Sequence, residues 1–347
     1  MLKTLQAGRA FAAVGVAAYH LSITMGLERY GHDPVFQHFT RYGYLGVDFF
    51  FVLSGFIILH AHSLDIGQPS KWRKYAYRRL VRIYPVYWLY TAVFVAVLSF
   101  DTGTDAKMPG NFPDWLTAIS LIRVSAAAPP LPIAWTLYHE LAFYLLFLIL
   151  ILNRRIGIAT CIVLSVVWLT LFNFPSEDSR SAFNVYFSAI NIEFLFGMGS
   201  YWLFKSIRTG TAAIAMGAVV FLVAASLLPR YEGIAVRVLF AMSVAFITAG
   251  VSKLEFQKRL TVPALLAFVG DASYSIYLVH LPLEGLFLKV FSKLGLRGLI
   301  PTLAVYFMVI FATIAAGCIA YLSVERPLMN MLKKLKAAPS RIDVRPA

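Results

Sequence analysis

The sequence predicts an all-α, polytopic membrane protein of about ten transmembrane helices with both termini cytoplasmic, and three observations carry that prediction. Hydrophobic residues make up 59% of the 347 and charged residues 14%, with a mean hydropathy of +0.72, a balance that a soluble domain does not sustain. Ten apolar runs approach the length of about 17–25 residues needed to cross the hydrocarbon core. Lysine and arginine are concentrated in alternate loops, which fixes the orientation of the bundle.

The elements follow in order. The first run, 5–24, has a basic start but is interrupted by Arg9, and no small-residue cleavage site follows Tyr19 and His20, so it reads as a helix and not as a leader. Further runs lie at 44–62, 84–100, 133–152, 156–173, 185–204, 211–228, 233–250, 271–290 and 300–322. Val262 to Val269 is too short to span, and either begins the ninth helix or lies at the interface. Residues 1–330 form the transmembrane domain and 331–347 a basic cytoplasmic tail, the last dozen residues of which read as disordered.

With both termini inside, 21 basic residues fall on the cytoplasmic side and 8 outside, leaving Arg237 and Lys289 within helices. The net charge of +14 is therefore mainly a topology signal, with some affinity for anionic headgroups or an anionic cytoplasmic ligand. No soluble domain is present to offer a basic face to nucleic acid. The two cysteines, Cys161 and Cys318, both sit inside spans, which argues against a disulfide framework and against a thiolate metal site.

Ionisable side chains inside a bilayer are costly enough to point to function. Arg9 and His20 are eleven residues apart on the first helix, which sets them about 16 Å apart along the axis and about 20° apart around it. That geometry suggests a slot for a long ligand with an anionic end. On the same face Ala12, Ala13, Val16 and Ala17 leave room for a thin molecule, although small residues also mark ordinary helix packing in membranes. By depth, His20, Asp48, His139 and Glu140 fall in one outer layer and are expected to face a common cavity. Arg78, Arg79 and Arg82 precede the third helix at the level of Arg9.

These residue types suit acyl transfer. An imidazole takes a proton from a hydroxyl, and a carboxylate such as Glu140 fixes its tautomer. Guanidinium forks match phosphate groups, so Arg9, Arg78, Arg79 and Arg82 are expected to hold a phosphate-bearing donor, although a basic inner loop also satisfies the positive-inside rule alone. Asp48 either supports the site, caps its helix or pairs with Arg41. His280, beside Ser273, Tyr274, Ser275 and Tyr277, either supports the site or bonds across helices. Glu325 beside Arg326 reads as an ion pair.

Six strings resemble one family in order along nearly the whole chain. The Arg9 to His20 spacing is similar to an Arg-x10-His signature, GYLGVDFFFVLSGF at 43–56 to a second-helix block, and RRLVRIYP at 78–85 to an arginine motif. AWTLYHE at 134–140 resembles a block supplying a functional Glu, and GDASYSIYLVHLP at 270–282 and SVERP at 323–327 resemble the last two signatures. By these the chain is identified as a member of the membrane-bound acyltransferase 3 family, of the bacterial exopolysaccharide and O-antigen O-acetyltransferase type.

The resemblance implies ten helices, an acyl-CoA donor on the cytoplasmic side and a carbohydrate acceptor beyond the membrane. It makes His20 catalytic, makes Glu140 a functional carboxylate and gives Arg78, Arg79 and Arg82 to the donor; from the residues themselves, Arg9 is expected to join the donor site, and Asp48, His139, Tyr274 and His280 to be substrate-binding or supporting residues. Thr136 stands where Ser is common in the Glu block, a harmless swap. Some relatives carry an extra extracytoplasmic domain after the helices; here the chain ends at Ala347, so it is expected to act alone or with separate polysaccharide-assembly proteins.

The function expected is that of an inner-membrane O-acetyltransferase using acetyl-CoA as a substrate and no tightly bound cofactor. A proton-coupled transporter or polysaccharide exporter is the alternative, since buried His and Glu also build proton relays, but it predicts paired broken helices that the sequence does not show. A multi-pass glycosyltransferase ranks lower, because the loop from Met25 to Gly43 offers only Glu28 and Asp33 as acids.

Overall fold

Apolar runs of this length leave the backbone no partner but itself, and the chain satisfies its polar groups within helices. The structure is a computed structural model describing residues 2–30, 33, 35–98, 108–170, 182–229, 233–296 and 299–337. Its principal helices are α1 (Lys3–Met25), α2 (Gly46–His62), α3 (Trp72–Leu98), α4 (Phe112–Ser120), α5 (Trp135–Leu152), α6 (Arg154–Thr170) and α7 (Ile192–Ser206). They continue with α8 (Thr211–Leu227), α9 (Ile234–Phe256), α10 (Ala264–Asp271), α11 (Ser273–Lys293), α12 (Thr302–Ala320) and α13 (Arg326–Ala337). No β-strand occurs among the described residues.

Each of the ten apolar runs is mostly helical over its described residues. Among the described residues, six helical stretches are both long and apolar enough to cross a membrane, and α8 is a shorter apolar helix. Large exposed apolar side chains line the outside of α3, α6, α8 and α12, among them Val93, Ile162, Leu222 and Phe311. In water such a belt would be a liability; against lipid it is the expected surface.

Three boundaries differ from the sequence reading, one of them the run from 185, which is broken at Ser188 and enters α7 only at Ile192. Helix α3 begins at Trp72, twelve residues before the expected start at 84, so Arg78, Arg79 and Arg82 ride on the helix and take its angular spacing. Apolarity had marked only the part that could span, whereas the arginines are good helix formers and the helix runs through them. Pro85 is accommodated inside α3 at the loss of one backbone donor. The short segment near 262–269 forms its own helix, α10, which packs across α1: a Cβ on Gly270 would lie 1.9 Å from the Gln6 carbonyl oxygen.

Glycines bring other helices equally close. A Cβ on Gly55 of α2 would lie 2.0 Å from the Phe194 carbonyl oxygen of α7, and one on Gly197 of α7 would lie 1.9 Å from the Val52 carbonyl oxygen of α2. Between such helices dispersion replaces the hydrophobic effect as the force of association, and close backbone approach maximises it.

A π turn at Tyr321–Glu325 joins α12 to α13 and directs Glu325 inward, where its Oε2 accepts from Ser275 Oγ at 2.6 Å. The expected pairing of Glu325 with Arg326 is therefore not formed among the described residues. The basic tail is helical as far as Ala337; the rest of it lies outside the described residues. So do 101–107 of the outer loop, whose following part carries α4, capped where Asn111 Oδ1 accepts from the Asp114 amide at 3.0 Å.

Candidate active site

Helices α1, α2, α3, α5 and α11 surround a cavity of about 250 Å³. On α2 its wall runs from Val47 to Ile58, eleven residues that rise about 16 Å. The cavity is thus long and narrow, with the same reach as the step from Arg9 to His20. Its charged end is formed by Arg9 of α1, Arg79 and Arg82 of α3, and Glu140 and Tyr144 of α5. Three guanidinium groups face one carboxylate, which leaves an excess of positive charge among the lining side chains. Such an excess, enclosed by apolar walls, suits an anionic ligand.

The arginines are held differently. Arg79 lies over the rings of Tyr75 and Tyr144, 5.9 and 5.7 Å from their centroids, and its Nη2 donates to His62 Nε2 at 3.2 Å. Because a guanidinium only donates, His62 Nε2 is the acceptor, and the imidazole proton sits on Nδ1, where it is given to Asp65 Oδ2 at 2.7 Å. Arg9 is buried and Arg82 half-buried, and neither makes a hydrogen bond to a side chain or carbonyl among the described residues. Both face the cavity. Arg78 is exposed and does not line it. On a helix Arg82 falls between Arg78 and Arg79 in angle, with about 40° on one side and about 60° on the other, so turning Arg79 and Arg82 inward turns Arg78 out.

The other end of the cavity is closed by Thr136 and Tyr277. Their hydroxyls lie 3.1 Å apart, and Tyr277 also donates to the Ile133 carbonyl at 3.3 Å. Past this end, about 4.5 Å further along α11, stands His280, whose Nδ1 lies 2.7 Å from the Tyr277 carbonyl oxygen. Its Nε2 is 2.9 Å from His20 Nδ1, and the two rings stack with centroids 5.0 Å apart.

The residues expected to share one cavity therefore divide. Glu140 lines it and accepts a short hydrogen bond from Tyr144; the carboxylate expected to orient His20 is turned toward the arginines, and His280 stands beside His20 in its stead. His139 is buried against Phe51 and Trp135 and its Nδ1 meets Asn191 Oδ1 at 2.8 Å. Asp48, fully buried, accepts from Arg237 Nε at 3.0 Å and Nη2 at 3.2 Å, not from Arg41. Glu193 lies beside that pair. Tyr274 lines the cavity and donates to the Ile83 carbonyl at 3.1 Å.

The small-residue face of α1 is not a passage. Ala12, Ala13, Val16 and Ala17 are buried and none lines the cavity: Ala13 packs with Ala272 and Ile276, and Gly46 approaches the backbone of Ala12. Depth along a helix was legible, but rotation was not, and the open face belongs to α2, α5 and α11. Sequence reasoning assigned no role to Tyr144, Tyr277, His62 or Asp65. Tyr144 carried one usable signal, its place four residues after Glu140, and Arg237 carried another as a cation left inside a helix and in need of a partner.

Comparison with known proteins adds a second line. A family model described as an acyltransferase domain matches residues 2–322. The exopolysaccharide production protein ExoZ of Rhizobium meliloti (strain 1021) is 29% identical over 323 residues, covering 87% of this chain and 93% of that protein. The acyltransferase MdmB of Streptomyces mycarofaciens is 30% identical over 152 residues, 42% of this chain and 38% of its own. The peptidoglycan O-acetyltransferase OatA of Listeria monocytogenes serovar 1/2a (strain ATCC BAA-679 / EGD-e) is 24% identical over 312 residues, 79% of this chain and 48% of its own. No solved structure matches the chain.

Proposed function

Because this chain belongs to the acyltransferase 3 family, we propose that it is an inner-membrane O-acyltransferase of ten spans with both termini cytoplasmic, moving acetyl from cytoplasmic acetyl-CoA to a hydroxyl of an extracytoplasmic or lipid-linked exopolysaccharide sugar. The observation that carries this reading is the narrow cavity with Arg9, Arg79 and Arg82 at one end and the His20–His280 pair just past the other. A thioester attached by a long arm to a phosphate-bearing head has that shape. At about 250 Å³ the cavity is smaller than the roughly 300–1,000 Å³ of pockets that enclose a drug-sized ligand, so it takes the arm and an adjoining phosphate and leaves the rest of the nucleotide outside.

In this reading the arginines bind the donor, Glu140 spaces and orients them as their shared counter-charge, and His20 is the general base. The sugar hydroxyl gives its proton to His20 as its oxygen bonds to the thioester carbon; the C–S bond breaks and the leaving sulfur takes the proton back. A two-step route would instead carry the acetyl group on His20. The bias of basic residues and the likeness, over most of both chains, to an exopolysaccharide production protein support the membrane side and the acceptor class.

The test is incubation of membrane vesicles with radiolabelled acetyl-CoA and host polysaccharide. Label should enter saccharide with the wild type and not with His20→Ala. Equal labelling by the two proteins would remove His20 from the chemistry, and no labelling by either would remove the donor and acceptor named here. Label trapped on the wild-type protein without acceptor, and absent in His20→Ala, selects the two-step route.

A further inference from the structure

We infer that His280 is a positioning residue that holds His20 in its Nδ1–H tautomer, so that Nε2 of His20 is the reactive nitrogen; this rests on the acyltransferase reading above. One group in the chain of contacts cannot donate. The Tyr277 carbonyl oxygen lies 2.7 Å from His280 Nδ1, so Nδ1 must carry the proton. A neutral imidazole with its proton on Nδ1 presents Nε2 as an acceptor. His20 Nδ1, 2.9 Å from that acceptor, must then be the donor. One backbone carbonyl thereby sets the protons on two successive rings, and no arrangement of two neutral rings reverses the chain without setting two lone pairs against each other.

What remains is His20 Nε2, a lone pair with no hydrogen bond among the described residues on a ring that is only half-buried. Both conditions suit a base that must meet a substrate hydroxyl. Unconstrained imidazoles favour the proton on Nε2, the form in which that atom could not act as base, so fixing the opposite tautomer has a function and is not a by-product of packing. Stacking of the rings, 5.0 Å between centroids at 26°, limits rotation of His20 about its own axis.

The pair also handles charge. When His20 Nε2 takes the hydroxyl proton, the Nδ1 proton can pass to His280 Nε2, while His280 keeps its bond to the Tyr277 carbonyl. The positive charge then rests on the second ring, removed from the forming ester. In the familiar arrangement a carboxylate orients the catalytic histidine; here no carboxylate bonds either ring among the described residues, and a second imidazole does the orienting.

The first test needs no turnover. Purified protein carrying ¹⁵N-histidine in bilayers should show His20, assigned by its disappearance in His20→Ala, with a protonated Nδ1 and an unprotonated Nε2, and His280→Leu should return it to the common Nε2–H form. A wild-type His20 already in the Nε2–H form overturns the inference. The second test uses amide replacements. Glutamine extends its oxygen to the place of His280 Nε2, whereas asparagine reaches only the place of Nδ1. His280→Leu and His280→Asn should lower kcat about 100-fold or more with KM for donor and acceptor unchanged within about twofold, and His280→Gln should recover to within about tenfold of wild type. Equal loss in Gln and Asn, or losses carried in KM, overturns the positioning role. If His280→Leu does not fold, the order of Gln over Asn still decides. Wild-type transfer abolished by His20→Ala but indifferent to every His280 variant sinks this inference alone, whereas absence of wild-type transfer sinks the functional reading and leaves the tautomer measurement standing.

Discussion

Replacing Arg237 with Leu is the perturbation that best tests the polar architecture. Asp48 is 0% exposed and its two oxygens are met by one guanidinium, whose side chain is 16% exposed. Removing the cation leaves a carboxylate with no route to water and Glu193 beside it. Breaking a buried pair in this way costs about 3–5 kcal/mol, which is roughly a 10²- to 10⁴-fold change in the folding equilibrium. Removing the anion is milder. In Asp48→Asn the guanidinium keeps one amide oxygen, lies over the Tyr44 ring at 5.7 Å and has some exposure, so the expected cost is about 1–3 kcal/mol. The double variant Asp48→Leu with Arg237→Leu should recover most of the loss, because a matched apolar pair is often neutral against a buried ion pair. Denaturant titration of the purified protein in bicelles, followed by tryptophan fluorescence, measures all three. An Arg237→Leu protein as stable as the wild type, or a double variant worse than either single one, would refute the assignment of these two residues as a coupled buried pair.

Three further outcomes are expected. Gly197→Val should destabilise the fold by about 1–3 kcal/mol through overpacking, since its Cβ meets the Val52 carbonyl, while Gly199→Ala, with nothing within 4 Å, should melt like the wild type; equal melting of both would discount the α2–α7 contact. Arg82→Gln should weaken donor affinity about 10- to 100-fold, the worth of one charged hydrogen bond, and Arg78→Gln should change it less than about twofold, checked by donor titration in the transfer assay. Ala13→Trp should yield little monodisperse protein on size-exclusion chromatography, because Ala13 is buried against Ala272 and Ile276; a well-folded but inactive variant would restore the passage along α1.

The helices were legible because a span is a local property, written in consecutive residues. So was the choice of polar residues, since each charge inside an apolar run stands out against its neighbours. Partnership was not legible. His20 meets His280 across 260 residues and Asp48 meets Arg237 across 189, and the rotation of each helix that decides such meetings is set by packing between helices, not by the sequence of either one. The small face of α1 shows the ambiguity: alanines admit a ligand or another helix equally well, and Ala272 and Ile276 take the place. Glu140 shows it again, as the depth that put it near His20 said nothing of its turn toward Tyr144 and the arginines.

Tyr277 divides two duties between its side chain and its backbone. The ring, latched to Thr136 and to the Ile133 carbonyl, stops the cavity short of the histidines, while the carbonyl that fixes His280 belongs to the helix and does not follow the ring. On the reading proposed above, a swing of the phenol would open the way to the histidines and leave the carbonyl's bond to His280 in place. With the phenol latched, a thioester held among the arginines as proposed above would stand apart from the imidazoles and so be protected from wasteful hydrolysis.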